Sequence, residues 1–307
     1  MSIINWNLRA KEVDLRVRNF INGEFVDCHG DQLITKLAPR DGSLLYQFPA
    51  GTNEDVDQAV ACAKQAFDDG RWQGKTIHER KAILTALWNL IDKNREELAL
   101  LDCLDVGKPI TYALHMDIPH ALSFLKSAID HADKLQSACG QDGSWFAYQQ
   151  RKPVGVVGAI LGWNFPLSMA VLKMGPALAM GNSLVIKPSE FSSLSTRRLA
   201  ALAVEAGVPP GVFNVVHGAG TTVGAALAHH PAINLLSFTG STATGKQMMI
   251  AAGKSNMKRL MLECGGKSPY IVFDDCPDDL DYVARDVVES ITYNQGEVCV
   301  AGSRLLV

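Results

Sequence analysis

The chain has 307 residues, 47% hydrophobic and 20% charged, with a formal net charge of −3. That is the composition of a globular protein, long enough to bury roughly 75% of its unfolded surface in one large domain or two. The slight acidity argues against a broad nucleic-acid footprint, and no apolar run reaches the length of a membrane span. Residues 1–20 mix charges throughout and show no secretory leader. The seven cysteines lack CxxC spacing, and their odd number suits free thiols in a reducing cytoplasm. Eight histidines include His229-His230 but no HExxH or mixed Cys/His cluster, so no metal site is expected.

Residues 17–50 read as short strands and turns. Phe20-Ile-Asn-Gly-Glu-Phe25 alternates around a turn, and Pro39-Arg-Asp-Gly42 marks another. Thr52 opens a helix with Val56, Val60, Ala63 and Phe67 at helical spacing, stopped by Gly70. Thr76-Ile-His-Glu79 is a capping box, followed by Ile83, Leu87, Leu90 and Ile91 on one face. A further helix spans about 95–105, ended by Gly107 and Pro109. These apolar stripes read as core packing. Residues 145–150 form a hairpin strand.

From Pro153 the rhythm changes. Strands are predicted over 154–160, 183–186, 212–216, 233–238 and 259–262, with helices over 167–180, 194–206 and 243–252 between them. This alternation predicts an α/β fold: a parallel sheet covered on both faces, with ligands near the strands' carboxyl ends. After Gly265 a new unit begins, with a strand over 270–273 and a helix over about 280–293.

Three stretches stand out chemically. Tyr293-Asn-Gln-Gly-Glu-Val-Cys-Val-Ala-Gly-Ser-Arg304 carries Cys299 on a loop between a helical pattern and an apolar run. Leu262-Glu-Cys-Gly-Gly-Lys-Ser-Pro269 places a carboxylate before two glycines, and Gly162-Trp-Asn-Phe-Pro166 places an amide just after a strand. Singly, each has a plain structural reading: a small buried hydrophobe for Cys299, a strand-end acid for Glu263, a turn residue for Asn164. Together they offer a nucleophile, a base and an oxyanion donor. A thiol needs activation to become the attacking thiolate.

Trp163-Asn-Phe-Pro166, Lys187-Pro-Ser-Glu190, Phe238-Thr-Gly-Ser241, Glu263-Cys-Gly-Gly-Lys-Ser268 and Asn294-Gln-Gly-Glu-Val-Cys299 resemble, in order and spacing, the aldehyde dehydrogenase superfamily. Asp105-Val-Gly-Lys-Pro-Ile110, Asp117-Ile-Pro119 and Ser255-Asn-Met-Lys-Arg-Leu260 are similar to its γ-glutamyl-γ-aminobutyraldehyde branch, which acts in putrescine breakdown. The resemblance implies a Rossmann-like cofactor domain over residues 1–133 and 153–264. It implies a subunit-bridging hairpin over 134–152 and the incomplete start of a second, catalytic α/β domain over 265–307.

It also implies oxidation of a small-molecule aldehyde to a carboxylic acid, with Cys299 as nucleophile, Glu263 activating water, Asn164 in the oxyanion hole and Lys173 in proton transfer. For Lys173 the reading as a plain amphipathic-helix lysine stays open. The implied cofactor set is Trp163, Lys187, Glu190, Gly220, Gly224, Phe238, Gly240 and Ser241. A carboxylate at Glu190 suits the two ribose hydroxyls of NAD and repels a 2′-phosphate, although NADP is also admitted. Ser241 reads equally as a pyrophosphate ligand or a simple helix cap.

Cys264 stands where the family usually has leucine, and Leu172 where many members have tryptophan. The resembled family continues well past residue 307, and its full-length members are homo-oligomers. A rival reading is therefore an inactive nucleotide-binding remnant. A cofactor-free cysteine hydrolase leaves the Lys187/Glu190 pair without a purpose.

Overall fold

The computed structural model describes residues 4–276 and 279–307. A short helix α1 (Trp6–Arg9) precedes the hairpin of β1 (Asn19–Ile21) and β2 (Glu24–Val26). Its turn places Asn22 and Gly23 at φ 55° and 88°, the left-handed pair that an Asn-Gly hairpin turn requires. A second hairpin joins β3 (Leu33–Leu37) and β4 (Leu44–Pro49) around the Pro39–Gly42 turn.

Helix α2 (Asn53–Asp68) begins at Thr52, and α3 (Ile77–Lys93) at Thr76; both starts carry capping boxes. Helix α4 (Arg95–Val106) ends at Gly107, whose φ of 83° turns the chain out of the helix. For residues 110–131 the sequence pattern predicts no helix or strand. They form α5 (Ile110–Tyr112), a π-helical turn (Ala113–Asp117) and α6 (Ile118–His131), which buries Ile118, Ala121, Leu122, Leu125 and Ile129. Pro119 is the second residue of α6 and follows directly on the π-helical turn. An exposed hairpin of β5 (Cys139–Asp142) and β6 (Trp145–Tyr148) follows.

The predicted alternation then runs through β7 (Val156–Ile160), α7 (Pro166–Ala179), β8 (Ser183–Lys187), α8 (Leu194–Glu205) and β9 (Phe213–Val215). A π-helical turn (Gly220–Gly224) leads into α9 (Ala225–His229), then β10 (Leu235–Gly240), α10 (Thr242–Lys254) and β11 (Arg259–Cys264). The remainder comprises β12 (Pro269–Ile271), α11 (Leu280–Thr292), a 3-10 turn (Tyr293–Gly296) and β13 (Arg304–Leu306), which pairs with β12 in parallel.

The central sheet has the order β11-β10-β7-β8-β9-β1-β2. Its first five strands are parallel, while the N-terminal hairpin adds on antiparallel through Phe20 and Val215. The sheet is therefore mixed, because a hairpin from the chain's start covers what would otherwise be an exposed edge. Alternating residues of β7 divide between two cores. Val157 and Ala159 pack with α3, α6, α7 and α8, whereas Val156 and Ile160 pack with α2, α9 and α10. The result is a three-layer α/β/α unit. Among the described residues no helix is long and apolar enough to cross a membrane.

Candidate active site

Because β7 to β11 are parallel, the loops after them emerge at one edge of the sheet. The chain builds outward from β7 to β8 and β9, then returns to set β10 on β7's other side. Such a reversal leaves a crevice at the carboxyl ends. Gly162 and Thr239 close its floor: a Cβ on Gly162 would lie 3.3 Å from the Thr239 Cγ2.

On the β8 side, the Lys187 Nζ lies 2.6 Å from the Glu190 Oε2. Burial pulls the Lys187 ammonium down, opposed by Glu190. Burial pushes the Glu190 carboxyl up, yet it ends below the ordinary range. The Lys187 charge and hydrogen bond outweigh burial, helped by the backbone N–H groups of Glu190 and Gly220. Gly220 thus meets Glu190, and a Cβ there would face open space. Gly224 closes the same turn against Ile160.

Trp163 is about half exposed just past β7. Phe238 is buried in the core, and its ring underlies Gly240, where a Cβ would collide at 2.6 Å. Ser241 is exposed and caps α10, its Oγ accepting from the Thr244 N–H at 3.1 Å. Behind Lys187 lies His217, fully buried, with neither ring nitrogen bonded among the described residues. Burial, then the Arg197 and Lys187 charges, push its pKa down to about 3, so it is neutral.

On the other side, Asn294, Gln295 and Gly296 all have left-handed backbones, at φ 49°, 63° and 78°. Two of the three bear side chains, a conformation costing about 1–3 kcal/mol each. This bend follows α11 and leads to Cys299, a free, exposed thiol in a turn. Tethers hold the bend in place. The Asn164 Nδ2 donates to the Glu297 carbonyl at 2.6 Å, and the buried Asn294 donates back to the Asn164 carbonyl at 3.2 Å. Gly266 lies against the Cys299 carbonyl, 3.5 Å from where its Cβ would stand.

Glu263 is exposed near the end of β11, opposite Thr239. Lys173 is buried and donates to the Ser237 Oγ at 2.8 Å. Burial lowers its pKa to about 8 despite the opposing Glu263 charge. Lys173 and Glu263 line a cavity of about 820 Å³ with Leu172, Ser237, Met261 and Tyr148; Cys299 and Asn164 do not line it.

The fold thus brings Asn164 and the Cys299 loop together, and Lys173 with Glu263, as two separate groups. Sequence reading missed Lys108 and Asn294, which hold the Asn164 peptide from below. A lysine set between glycine and proline at a helix end was the available signal.

Comparison with known proteins agrees with this architecture. The family profile "Aldehyde dehydrogenase family" matches residues 25–307. The chain is 46% identical over 299 residues to an aminoacetaldehyde dehydrogenase of Pseudomonas aeruginosa, covering 97% of this chain and 60% of that protein. It superposes on an indole-3-acetaldehyde dehydrogenase of P. syringae in complex with NAD+ with a TM-score of 0.95 at 46% identity. The TM-score is 0.94, at 45% identity, for a gamma-glutamyl-gamma-aminobutyraldehyde dehydrogenase of Burkholderia cenocepacia. Both structures are matched over 98% of this chain and 61% of theirs. The chain therefore spans about 60% of the length of the relatives it matches. On the family match over residues 25–307, the chain belongs to the aldehyde dehydrogenase family.

Proposed function

We propose that this chain carries the cofactor-binding unit and nucleophile loop of an NAD-dependent aldehyde dehydrogenase, converting an aldehyde and water to a carboxylic acid. The observation that carries the reading is Cys299 exposed on a strained loop that Asn164 tethers from across the crevice. In this reading the Cys299 thiolate attacks the carbonyl carbon. An asparagine amide has two protons; one of Asn164's is used on Glu297, leaving the second for the oxygen that becomes negative. The Cys299 N–H joins it, and one such donor is worth about 2.7–4 kcal/mol in the transition state.

The residues at the crevice fit a dinucleotide. Glu190, held by Lys187, would accept from the adenine ribose; Ser241 and the N–H groups opening α10 would take the pyrophosphate, with Trp163, Gly220, Gly224, Phe238 and Gly240 shaping the site. NAD, when bound, supplies the hydride acceptor. Glu263 then deprotonates the water that hydrolyses the Cys299 thioester, and Lys173, its pKa pulled down to about 8 by burial, relays the proton.

Residues 1–133 and 153–264 form the cofactor domain, 134–152 a bridging hairpin between subunits, and 265–307 part of a catalytic domain. The names of two relatives, for aminoacetaldehyde and a γ-glutamylated aldehyde, support amino- or glutamylated aldehydes of polyamine breakdown as substrates. Free cysteines support a cytoplasmic setting.

The test is NADH release from a panel of aldehydes. Cys299→Ala should abolish it and leave NAD binding measurable. Glu263→Gln should keep a single burst and lose steady turnover. Turnover surviving Cys299→Ala, or substrate trapped on Cys264, would remove Cys299 from its role.

A further inference from the structure

Two stretches that the proposed chemistry leaves unused meet beneath the nucleophile loop. Gly107 ends α4 in a left-handed conformation, and the next residue, Lys108, turns inward until its side chain is fully buried. A buried ammonium is costly unless its protons find partners. Lys108 has three. Its Nζ lies 2.5 Å from the Asp117 Oδ2, donates to the Asn164 carbonyl at 2.9 Å, and sits 4.4 Å from the centre of the Phe165 ring.

The Asn164 carbonyl also receives the Asn294 amide, whose Nδ2 lies 3.4 Å from the Glu297 carbonyl as well. That same Glu297 carbonyl accepts the Asn164 side chain. A closed circuit therefore runs from Lys108 through the Asn164 peptide to the left-handed bend before Cys299. Tyr293 stacks on Phe165 with ring centroids 6.2 Å apart, adding an apolar contact to the same join.

We infer that Lys108 is a positioning residue: with Asn294 it clamps the Asn164 peptide and sets where the Cys299 loop stands relative to the Asn164 amide. The inference rests on the reading of Cys299 as nucleophile and Asn164 as oxyanion donor. The physical reason is the strain in the bend. Left-handed Asn294 and Gln295 relax unless external bonds hold them, and relaxation would carry Cys299 away from the amide. A point charge with three directed protons suits a carboxylate, a carbonyl and a ring face at once.

Backbone hydrogen exchange on the full 307-residue chain tests this. Lys108→Met and Asn294→Ala should each speed exchange over residues 294–299 about tenfold, the effect of losing one charged or strain-holding hydrogen bond. The double variant should exceed either single variant little, because both open one circuit. Tyr46→Phe removes a buried hydrogen bond to Asp105 away from the loop and serves as the stability control. Exchange over 294–299 at the wild-type rate, or raised no more than in that control, would overturn the inference, as would additive effects in the double variant. Should Lys108→Met fail to fold, Asn294→Ala leaves the Lys108–Asp117 pair intact and carries the test. Turnover surviving Cys299→Ala would defeat the functional reading while leaving these exchange rates unchanged, so the two failures are separable.

Discussion

Asn164 is the residue on which the two sides of the crevice converge. Its carbonyl accepts from Lys108 and Asn294, and its amide reaches the Glu297 carbonyl. Replacing it with alanine should remove a tether and, in the proposed function, a transition-state donor together. We expect kcat/KM in Asn164→Ala to fall by about 100- to 1,000-fold, with NAD affinity little changed, measured by steady-state NADH release and nucleotide titration. In the proposed function Glu190 governs a different choice. Its carboxylate is held ionised by Lys187 and by two backbone N–H groups, so it meets a 2′-phosphate as a full negative charge. NAD should bind better than NADP, and Glu190→Gln should narrow the gap by removing that repulsion. Equal affinities for the two nucleotides in the wild-type chain would count against this assignment.

At the scale of elements, α4 organises two helix starts with carboxylates one turn apart. Asp102 accepts from the Leu167 N–H at the opening of α7 at 3.3 Å, and Asp105 from the Leu194 N–H at the opening of α8 at 2.9 Å. A carboxylate at a helix N-terminus answers both the free N–H groups and the macrodipole. Burial nevertheless dominates, raising Asp102 from 3.8 to about 7 and Asp105 from 3.8 to about 6.

The consequence for stability has a definite sign. Between about pH 4 and 7 the folded chain keeps a proton on Asp102 that the unfolded chain has released. Stability from this group therefore falls as pH rises through that window, and levels off above about 7. Asp102→Asn, which can still accept the Leu167 bond, should be less sensitive: its denaturation midpoint relative to wild type should be higher at pH 8 than at pH 5. Identical pH profiles for the two proteins would show that Asp102 is ionised in the fold across the range.

At the scale of the whole molecule, the three-layer unit and the last segment differ in how well they are covered. Strands β7 and β8 are buried along their whole length, whereas β13 is exposed throughout and β12 largely so. Phe273 is 69% exposed and Leu306 50%. Catalysis needs the nucleophile held within a small error of its target, on structure that is itself braced. The 307-residue chain by itself should therefore bind NAD weakly and oxidise aldehydes slowly, with faster hydrogen exchange after residue 265 than in the sheet. Brisk turnover by monodisperse chain, with strong protection after residue 265, would refute this. Apolar strand edges of this kind also favour self-association.

Much of this was legible in the sequence because it depends on local rules. Period and capping marked α2, α3, α4, α7, α8 and α10 to within a few residues, and strand–helix alternation predicted the parallel run from β7 to β11. The candidate site residues could be named because five short motifs, in order and spacing, resemble those of a known family; residue type alone left each a plain structural reading. Other features depend on pairing between distant segments, which no local pattern encodes. The N-terminal hairpin's place on the sheet edge beside β9 is one. The helix pair around Asp117 is another, its start disguised by a π-helical turn and a proline. Nothing local marks Lys108 as buried; only the approach of Asp117, 9 residues on, and of the Asn164 carbonyl, 56 residues on, makes a buried ammonium tenable there. Sequence alone named the candidate groups, and the tertiary structure decided what holds them, because burying a charge or straining a backbone requires partners brought from elsewhere in the chain.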